Sequence, residues 1–194
     1  MARTIDDNKI ARIRQAALEM VVNSGYGGAS ISSIAQNAGV AVGYLYRFYP
    51  GKSELVHDLF YRTLKDLADK LEQILDDKHS FEEVLESLIR SIFEKANKQP
   101  EQIKFLYVLM HDYSFRMENE MRDRIYRLCR LMIEKGMKVG LIGPEIDEEQ
   151  IFLLSVAYPL QFINMRMKNL FYQSDLSEKE IAATYSICLK SLSA

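Results

Sequence analysis

From Lys52 to Leu75 the apolar residues Leu55, Val56, Leu59, Phe60, Leu64, Leu67, Leu71 and Ile74 recur at helical spacing over several turns. Such spacing lays one apolar stripe along an α-helix, whereas on a strand it would scatter over both faces. No stretch shows sustained period-two alternation, and proline is confined to Pro50, Pro100, Pro144 and Pro159, so long segments are open to helix. The chain is expected to be all-α. With 194 residues, 48% of them hydrophobic, it can bury a core in one domain or two small ones.

Punctuation divides the chain into about nine helices. The first starts near Asp6 or Asp7, acids suited to the positive end of the helix dipole. It carries Ile10, Ile13, Ala17, Leu18 and Val21 inward as far as Asn23, and Ser24 and Gly25 end it. Ser80 and Glu83 have capping-box spacing before a helix running through Ala96, and Pro100 sits in the first turn of the next. An amphipathic segment runs from about Met117 to Val139, and "GLIGPEIDEEQ" breaks the chain after it. The last two helices run from Glu148 to about Tyr172 and from Ser177, boxed with Glu180, to about Leu192.

Charge and cysteine narrow the function. Residues 1–54 hold six basic and four acidic side chains, net +2, inside a chain of net −2, so a polyanion meets the N-terminal quarter first. Cys129 and Cys188 stand 59 positions apart without metal-ligand spacing, which reads as two buried reduced thiols and neither a zinc site nor a disulfide scaffold. The N-terminus lacks the apolar core of a signal peptide, and no apolar run is long enough to span a bilayer, so a soluble cytoplasmic protein with no membrane partner is expected. No GxSxG elbow, phosphate-cradling glycine loop or HExxH motif is present, so neither an enzyme nor a cofactor is expected.

The segment "SISSIAQNAGVAVGYLYRFYP", Ser30 to Pro50, carries the functional signal. Ser30 can cap a short helix that turns Ile31, Ile34, Ala35 and Ala38 inward. Gly39 supplies the left-handed residue of a tight turn, and Val40, Leu45 and Phe48 are the expected buried contacts of a second short helix. Ala35, Gly39 and Leu45 thus have the spacing of a helix-turn-helix. Its exposed side would be Ala41, Val42, Gly43, Tyr44, Tyr46 and Arg47. Tyrosine hydroxyls can bond phosphate oxygens, Ala41 and Val42 can meet thymine methyls, and Gly43 allows close backbone approach. Lys52, at the start of the following helix, can reach a phosphate. The alternative is that the tyrosines pack on a neighbouring helix.

The motifs "AALEMVVNSGY", "SIAQNAGV" and "GYLYRFYPGKSEL", within residues 8–56, resemble the DNA-binding domain of the TetR family of bacterial transcriptional regulators. The resemblance implies a three-helix reading domain over residues 1–51 and a helical ligand-binding and dimerisation domain over 52–194. It also implies a homodimer on double-stranded DNA, usually a repressor released by a small-molecule effector. Family DNA contacts map onto Ser30, the Ala41–Arg47 helix and Lys52. Ala41 and Val42 stand where the family often has a hydroxyl and then lysine or proline, which shifts the expected binding onto Tyr44, Tyr46 and Arg47.

Beyond about Phe60 only chemistry guides the reading. Phe105, Tyr107, Met110, His111 and Phe115, with Tyr158 and Phe162, suit an adaptable apolar ligand cavity, or else are ordinary packing residues. "QIFLLSVAYPLQFINM" is apolar nearly all round, as for a helix buried in its subunit and against a partner. Phe152, Val156, Leu160, Ile163 and, on the last helix, Ile187 are its expected dimer residues. Pro159 should open that helix and free a carbonyl. A second reading keeps the fold but makes it an interaction protein that positions a protein partner on DNA. A filled polar core in place of an apolar cavity would favour it.

Overall fold

Helix ends lie where the caps put them. The structure is a computed structural model that describes residues 7–76 and 79–193. The helices are α1 (Asp7–Gly28), α2 (Ile31–Asn37), α3 (Val42–Leu45), α4 (Lys52–Asp76), α5 (Phe81–Lys98), α6 (Pro100–Met110), α7 (Asn119–Lys138), α8 (Glu148–Phe152), α9 (Tyr158–Met167) and α10 (Glu178–Leu192). α8 and α9 are joined without a break by a π-helical turn, Leu153–Ala157, so nine continuous helices and no strand stand among the described residues. α1 is interrupted at Gly25, at φ 73°, where the sequence ends it. Asp6, the other expected start, lies outside the described residues.

Ser80 Oγ accepts from Glu83 N–H at 3.2 Å while Glu83 Oε2 accepts from Ser80 N–H at 2.7 Å, closing the expected box at α5. Asp147 and Gln150 make the same exchange at α8, both bonds at 2.9 Å. The helix expected to reach about Tyr172 stops at Met167. Asn169 adopts φ 50°, with its N–H on Arg166 O at 2.9 Å and Leu170 N–H on Met165 O at 3.1 Å. Asparagine tolerates this left-handed helix end, a signal that a search for glycine alone passes over.

Pro159 has the expected consequence. In the π register Tyr158 N–H reaches back to Leu153 O. The next bond would run from residue 159 to Leu154 O, but proline has no N–H to give. Cys188 Sγ on α10 takes the place, 3.0 Å from Leu154 O. Both cysteines are free and buried.

The described chain forms two compact units. One comprises the described residues up to Thr63 with Lys104–Met117, and the other Leu64–Ile103 with those from Glu118 on. In the first, Ile13, Ala17, Val21, Ile34, Ala35, Leu45, Leu55 and Val56 are fully buried. Phe115 completes this core, its ring 5.6 Å from Tyr26, 4.8 Å from His57 and 4.9 Å from Phe60. In the second, α5 packs on α7, α9 and α10 and buries Val84, Leu85, Ile89 and Phe93. Each such side chain contributes about 1.5–3 kcal/mol of hydrophobic stabilisation.

Candidate nucleic-acid interface and effector cavity

The turn between α2 and α3 is built around Gly39. Its φ of 64° places Gly39 N–H on Gln36 O at 3.1 Å and Val40 N–H on Ala35 O at 3.0 Å, which closes α2 and redirects the chain. Ala35 is fully buried at the crossing, and Ser30 Oγ caps α2 by accepting from Ser33 N–H at 3.1 Å. Leu45 anchors α3 at 0% exposure. Phe48 and Val40, expected beside it, are only half-buried, and Tyr49 takes the buried place one turn on. A tyrosine can be buried there because its hydroxyl is satisfied. It donates to Asp58 Oδ2 at 2.7 Å and accepts from Arg14 Nε at 3.3 Å. Burial, with Asp58 second, pushes its pKa up.

What remains outside is the expected surface. Ala41, Val42, Gly43, Tyr46 and Arg47 are exposed, Tyr46 by 53%. Tyr44 is half-buried, its ring 5.2 Å from Phe48, and the Arg47 guanidinium lies over both rings. Lys52 is held more closely than the sequence suggests. Its ammonium donates to Tyr26 O at 2.7 Å and sits 4.3 Å from the Tyr26 ring centroid, which leaves two N–H groups for another partner.

The second unit contains an apolar cavity. Leu64, Leu67, Ala68 and Leu71 of α4 face Met121, Ile125, Leu128 and Met132 of α7 across it. Leu88 and Ile92 of α5 and Phe152 and Val156 of the α8–π segment close it. Its polar lining residue is Ser155, whose hydroxyl already donates to Ile151 O at 2.6 Å. Cys129 completes the wall, and burial pushes its thiol pKa up to about 12. The cavity holds about 70 Å³, less than half of the roughly 150 Å³ that accommodates benzene.

None of the seven residues assigned to a ligand by sequence lines this cavity. Phe105, Tyr107, Met110, His111 and Phe115 belong to the first unit, where Tyr107 stacks on His111 at 4.1 Å and Phe115 fills its aromatic box. Tyr158 is half-buried, and the Phe162 ring lies 6.1 Å from Phe93 under the Arg166 guanidinium. Among the expected dimer residues, Phe152 and Val156 line the cavity and Leu160 and Ile163 are buried within the single chain. Ile187 is exposed, as is Leu153 of the π turn.

Two rails of ion pairs flank the cavity on α4. On one side Arg124 of α7 bonds Asp69 and both oxygens of Glu72, and Arg127 joins Glu72 at 2.7 Å. On the other, Lys95 of α5 meets Asp66 at 3.2 Å and Lys70 approaches Glu94 at 4.0 Å. Hydrogen bonds from Lys65 and Arg124 hold the Asp69 carboxyl below its usual range, and those from Arg124 do the same for Glu72.

Residues 13–59, from α1 into the first turns of α4, match the model of the bacterial regulatory proteins of the tetR family. The chain is 28% identical over 141 residues to the HTH-type transcriptional regulator YvdT of Bacillus subtilis, covering 72% of this chain and 71% of that one. It is 29% identical over 85 residues to the fatty acid metabolism regulator protein of the same species, a match spanning 44% of each. A solved TetR family regulator from Marinobacter aquaeolei superposes with a TM-score of 0.78 at 19% identity over 96% of both chains. Residues 13–59 carry the DNA-binding domain of the tetR family.

With that domain the chain is a transcriptional regulator with a DNA-binding helix-turn-helix, and its relatives are regulators. Its fold also superposes on Bacillus subtilis FadR, solved with stearoyl-CoA, with a TM-score of 0.69 at 20% identity over 95% and 98% of the two chains. The family match ends at Leu59, before the first cavity residue of α4, Leu64. Among the described residues no helix is long and apolar enough to cross a membrane.

Proposed function

We propose that this regulator is a ligand-responsive repressor that binds a palindromic operator as a homodimer and is released by an apolar or amphipathic small molecule. The observation that carries the reading is α4. One uninterrupted helix begins at Lys52, in the unit of the helix-turn-helix, and lines the effector cavity with Leu64, Leu67, Ala68 and Leu71. Two copies would set their α3 helices in successive major grooves. Val42 would read bases and Tyr44, Tyr46, Arg47, Ser30 and Lys52 would grip phosphates. A division of labour at residue 52 between reading and effector domains goes with this reading.

The cavity is smaller than any drug-sized ligand, so uptake has to part its walls, α4 included. Shifting α4 changes the separation of the two reading helices and costs operator affinity, with a coupling of about 1–3 kcal/mol. An apolar, largely aliphatic wall whose polar atoms are one thiol and one hydroxyl, the latter already donating to Ile151 O, suits a long acyl chain. The similarity to FadR, solved with stearoyl-CoA, supports the same class. The apolar lining favours an effector over the alternative of a DNA-bound positioning protein.

The test is a titration of a fluorescent operator duplex with and without long-chain acyl-CoA. Tyr46→Ala should weaken binding to every duplex alike, whereas Val42 substitutions should change which sequence is preferred. The acyl-CoA should release the wild-type protein. Equal sequence preference across the Val42 series sinks the assignment of base reading, and operator affinity indifferent to acyl chains of every length sinks the effector.

A further inference from the structure

Lys9, in the first turns of α1, places its ammonium 5.5 Å from the centroid of the Tyr44 ring. The guanidinium carbon of Arg47 stands 5.7 Å from the same centroid and 5.9 Å from that of Phe48. Two cations 38 positions apart in the sequence therefore converge on one half-buried tyrosine of the reading helix. Each is attracted by the ring. A phosphate beside Tyr44 would accept from its hydroxyl and be attracted by both cations.

We infer that Lys9 belongs to the DNA interface, forming with Tyr44 and Arg47 a single phosphate clamp. The inference rests on the proposed reading of α3 as the DNA-contacting helix. With its ammonium beside the ring, Lys9 would both brace Tyr44 and attract the same phosphate. The clamp carries no base information, so its effect is equal on all sequences. Nothing in the α3 segment announces Lys9. The slight positive balance of residues 1–54 was its only trace in the sequence.

The experiment is a salt series of duplex-binding titrations on the full chain, comparing wild type, Lys9→Gln, Lys9→Arg, Tyr44→Leu, Lys9→Gln/Tyr44→Leu and Tyr46→Ala. Lys9→Gln should weaken binding about three- to tenfold on operator and unrelated DNA alike and lower the slope of log affinity against log salt by about 0.9. Lys9→Arg should retain both, and the double variant should lose less than the product of the single losses. Wild-type affinity and slope in Lys9→Gln, or weaker binding with an unchanged slope, overturns the clamp. If Tyr46→Ala also binds as wild type, the reading of α3 itself has failed. If Tyr46→Ala binds weakly while Lys9→Gln does not, only the inference about Lys9 has failed. Matching circular dichroism melts establish that the variants are folded.

Discussion

Gly39 and Gly43 stand four residues apart in the DNA-reading segment and make opposite demands. Gly39 sits at φ 64°, and a Cβ there would come within 3.3 Å of the Arg12 guanidinium. An L-residue in that conformation costs about 1–2 kcal/mol, so Gly39→Ala should lower the melting temperature and with it DNA affinity. Gly43 has no positive φ and nothing within 4 Å of its would-be Cβ. Gly43→Ala should leave the melt unchanged or raise it, and weaken DNA binding only if the backbone approaches the groove there. Thermal melts paired with duplex titrations check both. The glycine hinge was legible in the sequence because its partners, Ala35 and Leu45, are local. The burial of Tyr49 was not, since it depends on Arg14 and Asp58, 35 and 9 positions away.

At the scale of elements, α4 is tied to α5 and α7 mainly through its own carboxylates Asp66, Asp69 and Glu72, paired with Lys95, Arg124 and Arg127, and through Lys70, which approaches Glu94. Pairs whose carboxylates stay open to solvent while Lys95 and Arg124 are largely covered are worth about 1 kcal/mol each, so the rails steer α4 more than they stabilise it. Asp69 and Glu72 are more acidic in the folded chain than unfolded, so their contribution is present above the ordinary carboxylate range and is lost as pH falls through the depressed values. Arg124→Gln should therefore melt below wild type near neutral pH, and the gap should close on acidification. Melts of both proteins from neutral to acid pH check this, and a gap that widens in acid contradicts it. Helix boundaries were legible wherever Ser80, Gly39 or the "GLIGPEIDEEQ" break announced them. The rails were not, because Arg124 and Glu72 are 52 positions apart and helical spacing does not say which helices become neighbours.

For the molecule as a whole, the sequence pointed to the aromatic residues of α6 and its following loop as the effector site, and the cavity lies instead among aliphatic side chains of α4, α5, α7 and α8. The reason is that Phe115 finds Tyr26, His57 and Phe60 within its own unit, a preference that composition cannot reveal. Similarly, Leu160 and Ile163 face into the chain, so Leu153 and Ile187 are exposed large apolar residues left for a second copy on these helices. The central claim is that two copies read a symmetric DNA site through α3, and the most direct test is selection of bound duplexes from a random pool at low and moderate salt. An inverted repeat that survives the higher salt, with half-sites about one helical turn apart or a multiple of it, is the predicted result. Recovery of no shared motif, with binding that fades uniformly as salt rises, would contradict it.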